Sequence, residues 1–84
     1  MKDWIDGAAA ALGVEPLRPE EIRTILRLAR DAAHRVERTA APVAAYLAGL
    51  ATNRSSVDGD RLTGLRHAVD TLTSLMPERE DPGT

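Results

Sequence analysis

Residues 19–46 read PEEIRTILRLARDAAHRVERTAAPVAAY. The fold turns on how this stretch is read. Pro19 suits the first position of a helix, where its missing N–H costs nothing. Glu20 and Glu21 follow where the helix dipole favours negative charge. Ile22, Ile25, Leu26, Ala29, Ala33 and Val36 then recur at helical spacing, and Leu28 and Ala32 widen that edge. The pattern predicts an amphipathic helix from Pro19 to about Thr39 with the Ile/Leu/Val edge turned inward. The opposite edge carries Arg23, Arg27, Asp31, His34 and Arg38.

Pro42 marks the start of a new helix, expected over Val43–Thr52 with Asn53 as a left-handed cap. Val43, Ala44, Ala45, Tyr46, Leu47, Ala48, Leu50 and Ala51 leave it almost without a polar side, which predicts a central place in a bundle. Ala41, Ala45 and Gly49 are four residues apart, and small residues at that spacing let another backbone approach. On the N-terminal side, a helix is expected over Trp4–Leu12, capped by Asp3. Ile5, Ala8, Ala9 and Leu12 form its apolar stripe, Trp4 is a lid at the stripe's edge, and Gly13 is a left-handed stop. Val14 to Arg18, broken by Pro16, connects the two.

On the C-terminal side, Ser56 or Asp58 is expected to cap a last helix. Leu62, Leu65, Val69, Leu72 and Met76 alternate by three and four along it, and Pro77 ends it. That seam is too short for an independent coiled coil. It closes the intramolecular core or, as a second use, staples a homodimer. Together these elements predict an all-α fold, a compact bundle of four helices over residues 1–77 with a charged tail over 78–84.

Composition narrows the function classes. At 84 residues one domain is expected. With no Cys there is neither a disulfide framework nor a thiolate metal site. The net charge of −2 and two aromatic residues in all argue against a nucleic-acid partner. Five arginines between Glu20 and Thr39 look basic, but Glu20, Glu21, Asp31 and Glu37 reduce the segment to +1. No run is long and apolar enough for a membrane span, and the acidic start does not match a signal peptide, so a cytoplasmic protein is expected.

One constellation carries chemistry. Asp31 and His34 are three apart and so neighbours on a helix, with Arg27, Arg30, Arg35 and Arg38 around them. Asp31 is placed to pair with Arg27 or Arg35. The plain reading is a solvated face held by such pairs. The others are a protein-contact surface anchored by arginines and a phosphate site made of guanidinium forks. Catalysis finds no support: no nucleophile motif, no glycine-rich phosphate loop and no HExxH accompanies the pair. His67, the other imidazole, is expected opposite the leucine seam, so a metal site is not expected either. No cofactor is implied. The binding residues this reading singles out are Arg27, Arg30, Asp31, His34 and Arg38.

The run Leu28-Ala29-Arg30-Asp31-Ala32-Ala33-His34-Arg35-Val36-Glu37-Arg38-Thr39-Ala40-Ala41-Pro42, continued by Tyr46-Leu47-Ala48-Gly49-Leu50-Ala51, resembles a small actinobacterial family of unknown function. The family's pattern is close to LARDxAHxVxRPAAPxxxxLxGxA. Trp4-Ile5 and Leu12-Gly13 resemble its opening, so the likeness covers roughly residues 3 to 53. Asp31, His34, Arg38 and Pro42 carry over by the motif. Arg35 stands where the family often has Gly, and Thr39 where it often has Pro. Members of that family occur alone or fused behind a nucleotidyltransferase similar to molybdenum cofactor guanylyltransferase. The resemblance therefore implies, by association, a non-enzymatic accessory or interaction role near molybdenum cofactor maturation, with a nucleotidyltransferase as protein partner. The alternative it leaves open is a domain that binds a small anionic ligand, a nucleotide or pterin phosphate.

Overall fold

The computed structural model describes residues 1–55 and 60–78, with Arg54 and Ser55 described by their backbone alone. It contains four helices: α1 (Lys2–Leu12), α2 (Pro19–Arg35), α3 (Ala40–Ser55) and α4 (Arg61–Leu75). No strand occurs among the described residues. The fold is an all-α bundle, and α2, α3 and α4 pack against one another to form its core. Leu28, Ala32, Ala44, Ala48, Leu65, Ala68 and Val69 are buried there, with Ile25, Leu72 and Met76 packed partly against them. The leucine seam of α4 is therefore consumed inside the chain. Leu62, Leu65 and Val69 are buried, and Leu72 and Met76 are partly buried against the same core.

α1 stands outside this core. Its first residues line a small cavity with Leu17, Pro19, Ile22 and Arg23, and Ala9 is buried. Two of its large side chains stay in solvent: Trp4 is 76% exposed and Leu12 is 77% exposed. Trp4 is thus not a core lid. Nor is Asp3 the cap, because the helix begins one residue before it and Asp3 sits in the first turn. Gly13 does end α1 in the left-handed region, with φ 73 and ψ 28, where a residue without Cβ is unstrained.

The largest departure from the periodicity lies in α2. Its buried positions are Glu21, Thr24, Leu28 and Ala32. Leu26, placed on the inward edge by the sequence pattern, is 52% exposed, and Val36 is exposed too. At about 100° per residue, the buried edge is turned by roughly a quarter turn from the centre of the Ile/Leu/Val stripe. Thr24 is accommodated inside because its hydroxyl donates to the Glu20 carbonyl at 2.8 Å. Glu21 is accommodated by the ion pair described below. α2 also stops at Arg35, four residues before Thr39.

α3 starts at Ala40, which places Pro42 within the first turn, where its lack of N–H is still harmless. The helix runs through Asn53 to Ser55, so Asn53 is not its cap. It turns its small residues inward: Ala44, Ala48 and Thr52 are buried, and the Thr52 hydroxyl donates to the Ala48 carbonyl at 2.7 Å. Val43, Tyr46, Leu47 and Leu50 are left exposed. Ala41 and Ala45 are half-buried and Gly49 is exposed. A Cβ on Gly49 would meet nothing within 4 Å, so no close backbone approach demands glycine there. Gly49→Ala is accordingly expected to stabilise the protein by about 0.5–1 kcal/mol, the helical cost of glycine, read as a rise in the thermal midpoint.

α4 is capped by Asp60, whose Oδ1 accepts from the Leu62 N–H at 3.3 Å. The expected caps Ser56 and Asp58 lie outside the described residues. Met76 is extended ahead of Pro77, as the proline ring requires of its predecessor, and the helix ends at Leu75.

Candidate functional site

Two polar assemblies dominate the surface of α2. The first surrounds its start. Glu21 is the third residue of α2, and its Oε1 reaches back to accept the Arg18 N–H at 2.8 Å, satisfying a donor at the helix entry. The same carboxylate receives the Arg61 guanidinium on both oxygens, Nε to Oε2 at 2.5 Å and Nη2 to Oε1 at 2.8 Å. Arg61 also donates to the carbonyls of Glu15, at 3.1 Å, and Pro16, at 2.8 Å. Arg18 in turn donates to Asp60 at 2.9 Å. The α1–α2 connector, the start of α2 and the start of α4 are thus knotted through one carboxylate that is 1% exposed. Burial pushes the Glu21 carboxyl up. The hydrogen bonds from Arg61 and the Arg18 amide, with the charges of both arginines, outweigh burial and leave it lowered. The sequence reading missed Glu21 and Arg61. The readable signal was the acidic third position behind a proline start, which can bond back to the N-cap amide.

The second assembly is the outer face of α2, which holds Arg27, Arg30, Asp31 and His34; Arg38 lies past its end, in the turn before α3. Arg27, Arg30, His34 and Arg38 are exposed, as expected. The Asp31 side chain is 27% exposed, and its partner is Arg30, loosely, at 3.9 Å. The expected pairs with Arg27 and Arg35 do not form. No hydrogen bond joins Asp31 to His34 among the described residues, and no cluster there could hold a metal ion. Arg35 is engaged elsewhere. Its Nε donates to the Pro77 carbonyl at 2.8 Å and its Nη2 to the Met76 carbonyl at 3.1 Å. It clamps the end of α4 to the end of α2.

Of the five predicted residues, Arg27 lines a cleft. This open cleft of about 470 Å3 lies between α2 and α4 and is bounded by Glu20, Arg23, Thr24, Arg27, Arg66 and Asp70. Three guanidiniums face two carboxylates there, and Arg66 reaches Glu20 at 3.3 Å. Arg30, Asp31, His34 and Arg38 lie outside the cleft. The side chains of Arg23, Arg27 and Arg38 make no ion pair or hydrogen bond among the described residues.

No described helix is long and apolar enough to cross a membrane. No curated protein and no solved structure matches the chain. A family model does, over residues 1–84, and the chain belongs to that family, described as a domain of unknown function (DUF6457).

Proposed function

We propose that this chain is a non-enzymatic accessory domain that holds a protein partner against the arginine-rich outer face of α2 and Arg38 in the turn that follows it. The observation that carries the reading is that the side chains of Arg23, Arg27 and Arg38 form no ion pair among the described residues, although the whole chain is acidic at −2. Exposed guanidinium forks suit carboxylates on a partner and are enriched among the side chains that dominate binding energy. The loose Arg30–Asp31 pair contributes little to holding this face in place, because exposed pairs are worth at most about 1 kcal/mol. By the resemblance described above, the partner we propose is a nucleotidyltransferase of the molybdenum cofactor guanylyltransferase type, in the cytoplasm.

The test is titration calorimetry of the purified chain against such a nucleotidyltransferase from the same genome. Reversing Arg27→Glu and Arg38→Glu together is expected to weaken binding at least tenfold, with Asp31→Ala and His34→Ala giving smaller losses. Equal affinity for wild type and all of these variants would remove the proposal for this face.

The cleft between α2 and α4 favours a second reading, a small anionic ligand such as a nucleotide or pterin phosphate held by Arg23, Arg27 and Arg66. Pyrophosphate would then raise the melting temperature by mass action, and Arg66→Ala, away from the outer face, would abolish the rise. No shift with pyrophosphate leaves the partner reading alone.

A further inference from the structure

α3 is apolar on two sides, and the bundle covers only one of them. Ala44, Ala48 and Thr52 face the core, while Val43, Tyr46, Leu47 and Leu50 remain exposed. A helix that is hydrophobic nearly all round is normally buried all round. The exposed side continues across two shallow grooves. One, of about 210 Å3, runs between Val36, Val43, Leu47 and Leu75. The other, of about 380 Å3, runs between Leu47, Ala51, His67, Thr71 and Leu72. They share Leu47 and Leu72, so Leu47 stands as a ridge between them.

We propose that this face is the interface of a homodimer, with the two-fold axis beside Leu47 and the α3/α4 face of one copy packed on that of the other. Three properties of the face select a second copy as the occupant. First, a two-fold contact must be self-complementary, and here a ridge (Val43, Leu47, Leu50) lies directly beside grooves of matching chemistry. Second, near the axis each residue meets its own copy, so any charge there repels itself. No Asp, Glu, Lys or Arg lines either groove. An acidic chain can pair with itself through such a face without opposing like charges. Third, Val36, Val43, Leu47, Leu50 and Leu75 are each about half exposed or more and together expose on the order of 500 Å2. Burying that in both copies removes roughly 1,000 Å2, the area at which an interface becomes specific rather than incidental. The product is a bundle of α3 and α4 from each copy, a four-helix packing. It leaves the arginine face of α2 outside, so it is independent of the partner proposed above.

The experiment is sedimentation equilibrium of the full chain, alone, from low to high micromolar concentration. Wild type is expected at twice its mass of 9.0 kDa. Leu47→Glu, which puts a carboxylate at the axis, is expected at the single-chain mass with unchanged helical circular dichroism. Leu26→Glu, on an exposed apolar residue of α2 away from the face, is expected to stay dimeric. If Leu47→Glu does not fold, Leu75→Glu gives the same reading from α4. A wild-type monomer at high micromolar concentration overturns the proposal and gives the face to a different protein. A dimer that survives Leu47→Glu and Leu75→Glu, or one that Leu26→Glu dissociates, overturns it as well.

Discussion

Arg61→Ala is expected to lower the unfolding free energy by about 3 kcal/mol, the low end for breaking a buried ion pair. The loss has two sources. The substitution removes the guanidinium that occupies both oxygens of Glu21, and it strands a carboxylate that is 1% exposed. It also frees the carbonyls of Glu15 and Pro16, which anchor the connector ahead of α2. The low end applies because the Arg61 side chain is 28% exposed, so water can enter where it was. For a domain of this size, about 3 kcal/mol is a thermal shift of more than 10 °C. Glu21→Gln, which removes the charge and keeps the shape, is expected to cost less.

The pair also fixes a dependence on pH. The Glu21 carboxyl is lowered in the folded chain. Its contribution is therefore complete above the usual glutamate range and is lost as pH falls through the lowered folded value. Wild type should lose stability over that acid window, and Glu21→Gln should lose less there. Denaturation curves of the two proteins between neutral and acid pH read the difference directly. Parallel curves would mean that Glu21 does not carry the linkage.

Leu28→Ala is the second large effect. Leu28 is the largest side chain with no exposure, at 0%, and it sits where α2, α3 and α4 meet. Truncation removes its transfer free energy and leaves a cavity, together about 2–5 kcal/mol. Leu26→Ala, two residues away on the same helix, is expected to cost under about 1 kcal/mol, because the side chain is already half in water. From periodicity alone the order would be the reverse, since Leu26 lies on the Ile/Leu/Val stripe and Leu28 on its margin. Denaturant midpoints of the two variants decide between them.

That contrast shows where the chain was legible. The helix starts and stops at Pro19, Gly13 and Pro77 follow from local chemistry, and all three appear where expected. The seam of α4 was readable because leucine and valine at spacings of three and four have one use inside a small bundle. The rotation of α2 was hidden because its inward edge begins with Glu21 and Thr24. Both look like surface residues until Arg61, forty positions on, and the Glu20 carbonyl are found against them. The same reason hid the inward side of α3. Alanine and threonine fill a close helix contact without a strong apolar signal, and the larger residues on the other side drew the eye. For the candidate site, exposure of Arg27, Arg30 and His34 followed from position on the helix, while Arg38 is exposed in the turn beyond it. The partners of Asp31 and Arg35 did not. The geometry of a long side chain is set by what the rest of the fold offers it, and the end of α4 offered Arg35 two carbonyls.

The orientation of α2 underlies both the buried ion pair and the exposed faces, and thiol chemistry tests it without perturbing the fold much. The chain has no Cys, so Leu26→Cys and Leu28→Cys each introduce a single reporter. Under native conditions the thiol at position 26 is expected to react with a disulfide reagent at nearly the rate of an unfolded control. The thiol at position 28 is expected to react only as fast as the protein opens. Protection at 26 with rapid reaction at 28 would contradict the account.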